Sequence, residues 1–204
     1  MIRTVLIAAV VVSVVLAAAG VWYARSSGLT ALGQPNALET RIARTVRRFA
    51  IPGEIRERQN PIPVSDDIIA SGRAHFADHC ASCHANDGSG NATMGRNLFP
   101  KAPDMRQTAT QSLTDGELFW IIENGIRFTG MPGWSTGTEE GTTASWHLVH
   151  FIRRLPNITE AELEAMESMN PRSPEEIRQE IEAERFLRGE DVTAKEPAPP
   201  SHAH

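Results

Sequence analysis

The sequence predicts an all-α protein, and three observations carry that expectation. Apolar residues recur at helical spacing behind capping residues in five stretches. No run alternates apolar and polar residues in the manner of a strand. The chain also opens on a long apolar stretch without a charge, Val5 to Tyr23, which has 19 residues.

That opening stretch is long enough to cross a hydrocarbon core of about 30 Å as a helix rising about 1.5 Å per residue. Trp22 and Tyr23 stand where interfacial aromatics belong, and Arg3 would hold the short N-terminus in the cytoplasm. Residues 1–25 are therefore expected to be a transmembrane anchor. A cleaved signal peptide is the competing reading, because Ala17, Ala18 and Ala19 offer small residues for cleavage. The apolar run is longer than a usual signal core, which favours the anchor. Both readings export the rest of the chain, so the expected location is the inner membrane, single-pass, with the remaining domain on the periplasmic side.

Residues 26–61 read as a linker followed by a basic amphipathic helix. Asn36 with Glu39 makes a capping-box variant, and Pro52 ends the helix. Leu38, Ile42, Val46 and Phe49 share one face, with Arg41, Arg44, Arg47 and Arg48 largely off it. The expectation is that this face packs on the main domain; the alternative is a juxtamembrane helix on anionic lipid.

Residues 62–157 form the expected main domain. Ser65 can cap a helix running into residue 80. Residues 86–111, rich in Gly, Pro, Asn and Asp, should be mostly loop. Thr114 with Glu117 opens a helix that Gly125 can close. "FTGMPGWSTG" is loop again, and "TASWHLVHFIRRLP" is a helix stopped by Pro156, with Trp146, Val149, Phe151 and Ile152 for the core. Residues 158–204 read as an acidic helical extension, with caps at Thr159 and Ser173, and a Pro-rich end expected to be disordered.

Charge follows the same zones. Residues 37–58 hold six arginines against three glutamates, and the stretch from 159 onward holds five basic against twelve acidic groups. The formal charge of -5 provides no basic surface for nucleic acid. The acidic helices read as solvated faces, and the final "HAH" is weak grounds for a metal site.

Both cysteines of the chain fall in "HCASCH", Cys80 and Cys83 with His84 directly after. A disulfide, a redox dithiol, half of a zinc site and a haem attachment point all use Cys-x-x-Cys. Zinc would want a second ligand pair and a thioredoxin-like dithiol a βαβ pattern, and neither is present in the sequence. Haem attachment uses all three residues: each thiol adds to one porphyrin vinyl, and His84 supplies an imidazole to the iron. A second axial ligand is then needed. His75 and His79 precede the motif on its own helix, and His147 and His150 suit packing or surface roles. His202 and His204 lie in the tail. Met94 and Met105 are packing candidates, whereas Met131 in "TGMPGW" sits among the glycines and proline that a constrained loop against a flat cofactor requires.

"GRAHFADHCASCHANDGSG", "KAPDM", "ENGIRFTGMPGW" and "WHLVHFIRRLP", in that order, resemble a class I c-type cytochrome over residues 65–156, of a membrane-anchored bacterial type. The resemblance implies a small all-α domain with one covalent haem c, His84 and Met131 as axial iron ligands, and terminal helices crossing at the haem edge. It also implies that Gly72 permits the close helix approach, that Phe76 and Trp146 pack at the crossing, and that the Pro103 carbonyl accepts the His84 N–H. With both axial positions filled by protein, the implied activity is one-electron transfer rather than catalysis on a small-molecule substrate. A membrane-tethered carrier is the favoured form, and a fixed electron-transfer subunit of a larger membrane oxidoreductase the alternative. The expected partners are redox proteins or such a complex.

Overall fold

The computed structural model describes residues 2–27 and 30–189, all helix, turn and loop, with no strand among them. Seven helices of a full two turns or more carry the architecture. They are α1 (Ile2–Ser27), α2 (Ala37–Ala50), α3 (Asp66–His75), α4 (Asp115–Asn124), α5 (Glu139–Arg154), α6 (Glu160–Glu167) and α7 (Pro174–Leu187). The expected disordered end and its histidines, 202 and 204, lie outside the described residues.

Local chemistry starts these helices where the sequence places it. Asn36, Thr114, Thr159 and Ser173 each accept the backbone N–H three residues on, and each receives the matching glutamate in return. Ser65 accepts from the Ile68 N–H and opens α3. α5 starts earlier than its apolar pattern implies. Thr138 accepts from the Gly141 N–H, and Glu139 and Glu140 fill the first turn, where carboxylates meet the positive end of the helix.

The domain is organised by α3 crossing α5. Gly72, buried on α3, sits so close to α5 that a Cβ there would collide with the His147 carbonyl oxygen; it would lie 2.7 Å from that carbonyl carbon and 3.0 Å from Phe151 Cβ. Only a residue without a side chain allows the backbones this approach. Phe76 and Phe151 then pack ring to ring at 5.2 Å, both fully buried. Trp146 does not join that pair; it stacks on Phe119 of α4 at 4.1 Å and 10°. The two expected ring partners therefore serve separate contacts, because α5 turns successive faces to α3 and to α4.

Arg153 locks α5 to the preceding loop. It donates to Asp115 and to the carbonyls of Gln111 and Leu113. Gln111 in turn donates to the carbonyls of Met105 and Ile152. The core continues beyond Pro156: Met166 of α6 is fully buried in the same cluster as Phe76 and Leu155.

Arg154 and Glu162 join α5 to α6 through two hydrogen bonds, 3.2 and 3.1 Å. Burial pushes the Glu162 carboxyl up, but Arg154 and the Thr159 backbone and hydroxyl outweigh it and hold the group at about 2. A carboxyl depressed on folding stabilises the protein above its ordinary pKa and loses that contribution as pH falls through the depressed value. Arg154→Met should thus cost about 1 kcal/mol at pH 7 and roughly a third of that at pH 2, where the carboxyl is half-protonated. Denaturant melts at both pH values check this, and an equal cost at the two would contradict it.

One expectation is corrected here. The apolar face of α2 does not pack on the main domain: Leu38, Ile42, Val46 and Phe49 are all exposed. The helix is joined to the domain through its opposite face and its end. Arg47 is half-buried, within electrostatic reach of Glu117 on α4, and Ile51, directly after α2, is buried. The segment that follows is tied down closely. Arg58 lies over the rings of Phe119 and Trp146 at 5.5 and 5.3 Å, and Asn60 donates to the Trp146 carbonyl at 2.9 Å. The arginines thus make the domain contact that amphipathicity alone assigns to the apolar stripe.

Candidate functional site

The helix entering the cysteine motif changes pitch before it arrives. After α3, Phe76–Cys80 forms a π-helical turn, and Ala81–His84 follows as one α-helical turn. Such widened turns recur at functional sites. Cys80 stands at the junction and Cys83 within the next turn. Ala85 ends the helix at φ 59°, and the Gly90 N–H returns to the His84 carbonyl at 2.8 Å.

The three motif residues have distinct environments. Cys80 and Cys83 form no disulfide. Burial, and then the neighbouring Cys83, push the Cys80 thiol up to about 12; burial also raises Cys83. Both thiols are therefore protonated at neutral pH. His84 is 7% exposed. Burial lowers its pKa to about 4 against the opposing pull of the Pro103 backbone carbonyl. A neutral imidazole keeps a nitrogen lone pair for a metal. Nδ1 of His84 is buried and makes no hydrogen bond of ordinary geometry, so Pro103 stands near the ring without closing the full bond that the resemblance implies.

The loop after the motif is clamped against it. Arg106 bridges Asp87 at 2.9 Å and Asp104 at 2.9 Å. Its hydrogen bonds, working against a burial effect, hold the Asp104 carboxyl at about 2. The Met105 N–H donates to the Gly88 carbonyl at 2.8 Å. Between these ties lies Pro103. Gly95 presses on the motif itself: a Cβ there would overlap the Cys83 carbonyl oxygen and lie 2.9 Å from that of Gly90.

Contacts from both sides bring the Met131 loop to the motif. Leu98, three residues beyond Gly95, packs so closely on Gly130 that a Cβ on that glycine would fall 2.6 Å from its Cδ2. On the other side the Trp134 ring meets His79 edge to face at 5.4 Å, next to Cys80. The loop is also bonded to the end of α4. The Ile126 N–H donates to the Met131 carbonyl at 3.0 Å, and the Trp134 N–H to the Ile122 carbonyl at 2.9 Å. The Met131 N–H donates to the Thr129 hydroxyl at 3.1 Å. Met131 itself is half-buried.

The competing ligand candidates occupy other places. Met105 is in the core cluster and Met94 is on the surface. His147 bonds Ser71 at 3.0 Å, and His150 bonds the Ile62 carbonyl at 2.7 Å. His75 and His79 pair with each other, rings 4.9 Å apart. Gly72, Phe76 and Trp146 lie at helix contacts, and the Trp146 Nε1 is buried without a partner. Gly95, Leu98, Arg106 and Trp134 position the site, and none had a role assigned from the sequence. Each acts through a contact distant in sequence.

These residues fit a covalently attached haem. Two unbridged thiols lie three residues apart across a π-to-α junction, a neutral buried imidazole with an orphaned Nδ1 follows them, and a thioether-bearing loop packs on His79 beside Cys80. A family model described as cytochrome C oxidase, cbb3-type, subunit III matches residues 67–152. That span runs from the first turn of α3 through the motif and the Met131 loop to Ile152 in α5. No curated protein matches the chain.

Proposed function

Residues 67–152 are a c-type cytochrome domain whose cofactor is covalently bound haem c, and from that premise we propose that the chain is a membrane-tethered one-electron carrier. When bound, haem c supplies an iron that cycles between ferric and ferrous states. Cys80 and Cys83 would hold it by thioether bonds, and His84 and Met131 would ligate its iron. The observation that carries this reading is that the Met131 loop is held near the motif from two sides, by Trp134 on His79 beside Cys80 and by Gly130 on Leu98, three residues past the Gly95 that seats on Cys83.

The chain's own residues do the positioning. A neutral thioether favours the reduced metal more than a second imidazole does, so Met131 would raise the potential. Pro103, next to the Asp104 that Arg106 clamps, stands near the His84 ring, and a bond closed to its carbonyl with haem in place would increase the ring's donor strength. Gly95 and the packed loops would exclude water from the Cys83 side. Phe128, three residues before Met131, is 92% exposed at φ 62°. It offers an apolar contact for a redox partner beside the site.

One helix among the described residues is long and apolar enough to cross a membrane, α1. It supports the tether; that the haem domain lies on the periplasmic side is part of the same proposal. The description of the matching family favours a second reading, a fixed electron-transfer subunit of a membrane oxidase. Gentle solubilisation of the native membrane separates the two. A haem-stained species migrating at the size of this chain alone supports the carrier; a stable comigrating oxidase would replace it with the subunit reading.

A further inference from the structure

Electron transfer leaves the apolar face of α2 unexplained. Leu38, Ile42, Val46 and Phe49 are 67%, 54%, 59% and 91% exposed. At 100° per residue they fall within a quarter of the helix circumference, and they run along an element about 21 Å long. Arg41 and Arg48 border the stripe on one side, while Arg44 and Arg47 lie away from it; Arg44 is exposed, and the half-buried Arg47 makes the domain contact. With four arginines against Glu39, the helix is cationic.

Its position relative to α1 indicates what covers it. Tyr23, in the last turns of α1 beside the interfacial Trp22, hydrogen-bonds the Glu39 carboxylate with its hydroxyl. Asn36, the cap of α2, donates to the same hydroxyl at 3.4 Å. The first turn of α2 is thereby held at the level where α1 would leave the bilayer. An exposed apolar stripe bordered by cations, fixed at that level, matches a helix lying in the headgroup region. Lipid carrying negative charge would attract the arginines as well.

We propose that α2 is an interfacial membrane helix whose Leu38–Ile42–Val46–Phe49 face is buried in a bilayer containing anionic phospholipid, giving the haem domain a second attachment beside α1. This rests on the tether reading of α1. Because Ile51, Arg58 and Asn60 bind the following segment tightly to the domain, seating α2 would also fix the domain's orientation to the membrane.

The test uses the full haem-loaded chain in phosphatidylcholine vesicles with and without 30% phosphatidylglycerol (about 30% being a typical anionic content), probed with a membrane-impermeant maleimide. Thioether-linked haem leaves no other thiol to react. Phe49→Cys and Val46→Cys should be modified at least about tenfold more slowly than Arg44→Cys in the anionic vesicles. The difference should shrink without phosphatidylglycerol or when Arg41 and Arg48 are replaced by glutamine. All these side chains are exposed or only partly buried, so the variants retain the fold; an unchanged haem spectrum checks it. Equal rates at the three positions would overturn the proposal. So would protection that grows with protein density at fixed lipid composition, because it would assign the face to a second copy. Val12→Cys, within α1, reports the tether separately: if it reacts, the tether reading fails and α2 falls with it. If it is protected while Phe49→Cys reacts freely, only the α2 proposal fails.

Discussion

Met131→Ala is expected to leave the haem attached and the domain folded while removing the thioether proposed to ligate its iron. Met131 is half-buried and lies on a loop whose backbone bonds run through Ile126, Thr129 and Trp134. Truncating its side chain breaks none of them. The ferric protein should lose the weak far-red absorption that marks iron–thioether bonding. Its reduction potential should fall by on the order of 100 mV, since ligand identity is a main determinant of haem potential. Added cyanide should bind at least about tenfold faster, because a coordination position has opened. Retention of the far-red band would assign the ligand elsewhere, with Met94 the first alternative because Met105 is committed to the core. Met94→Ala serves as the comparison and should change neither the band nor the potential.

Gly72→Val should strongly destabilise the domain. The added atoms would enter the His147 backbone carbonyl, and backbone within a helix cannot rotate aside as a side chain can. α3 and α5 would have to separate, loosening the Phe76–Phe151 contact. Overpacking of this kind costs about 3 kcal/mol, which for a domain of this size lowers the melting temperature by roughly 10–20 °C. The neighbouring Ser71→Ala removes only the exposed hydrogen bond to His147 and should cost less than about 1 kcal/mol. Thermal melts followed by far-ultraviolet circular dichroism compare the two. Similar losses would mean that the crossing is not set by Gly72.

The parts of this structure that were legible in the sequence are those written in local spacing. Capping boxes at Asn36, Thr114, Thr159 and Ser173 start helices because cap and partner stand three residues apart, a relation the chain itself carries. Cys80, Cys83 and His84 are similarly local, all within five residues. The early start of α5 at Thr138 went unread because its first turn is acidic and solvated, and apolar periodicity begins only later.

What the sequence hid depends on distant backbone. The π turn at Phe76–Cys80 has no local signature. The seating of Gly95 on Cys83, and of Leu98 on Gly130, depends on where the loop of residues 86–111 returns. The face of α2 was misjudged for a related reason. Amphipathicity says that an apolar stripe is covered, but not by what, and here the domain contact belongs to Arg47 and Ile51.

Covalent attachment of one haem through Cys80 and Cys83 is the claim on which the functional account stands, and intact mass spectrometry of the denatured full-length protein tests it most directly. The expected spectrum shows the polypeptide plus one haem, unchanged by acid extraction, with neither cysteine open to alkylation. Cys80→Ala and Cys83→Ala should each keep the haem through a single remaining thioether, and the double substitution should lose it to the extract. A wild-type mass equal to the bare polypeptide, with two alkylated thiols and a colourless domain, would contradict the account.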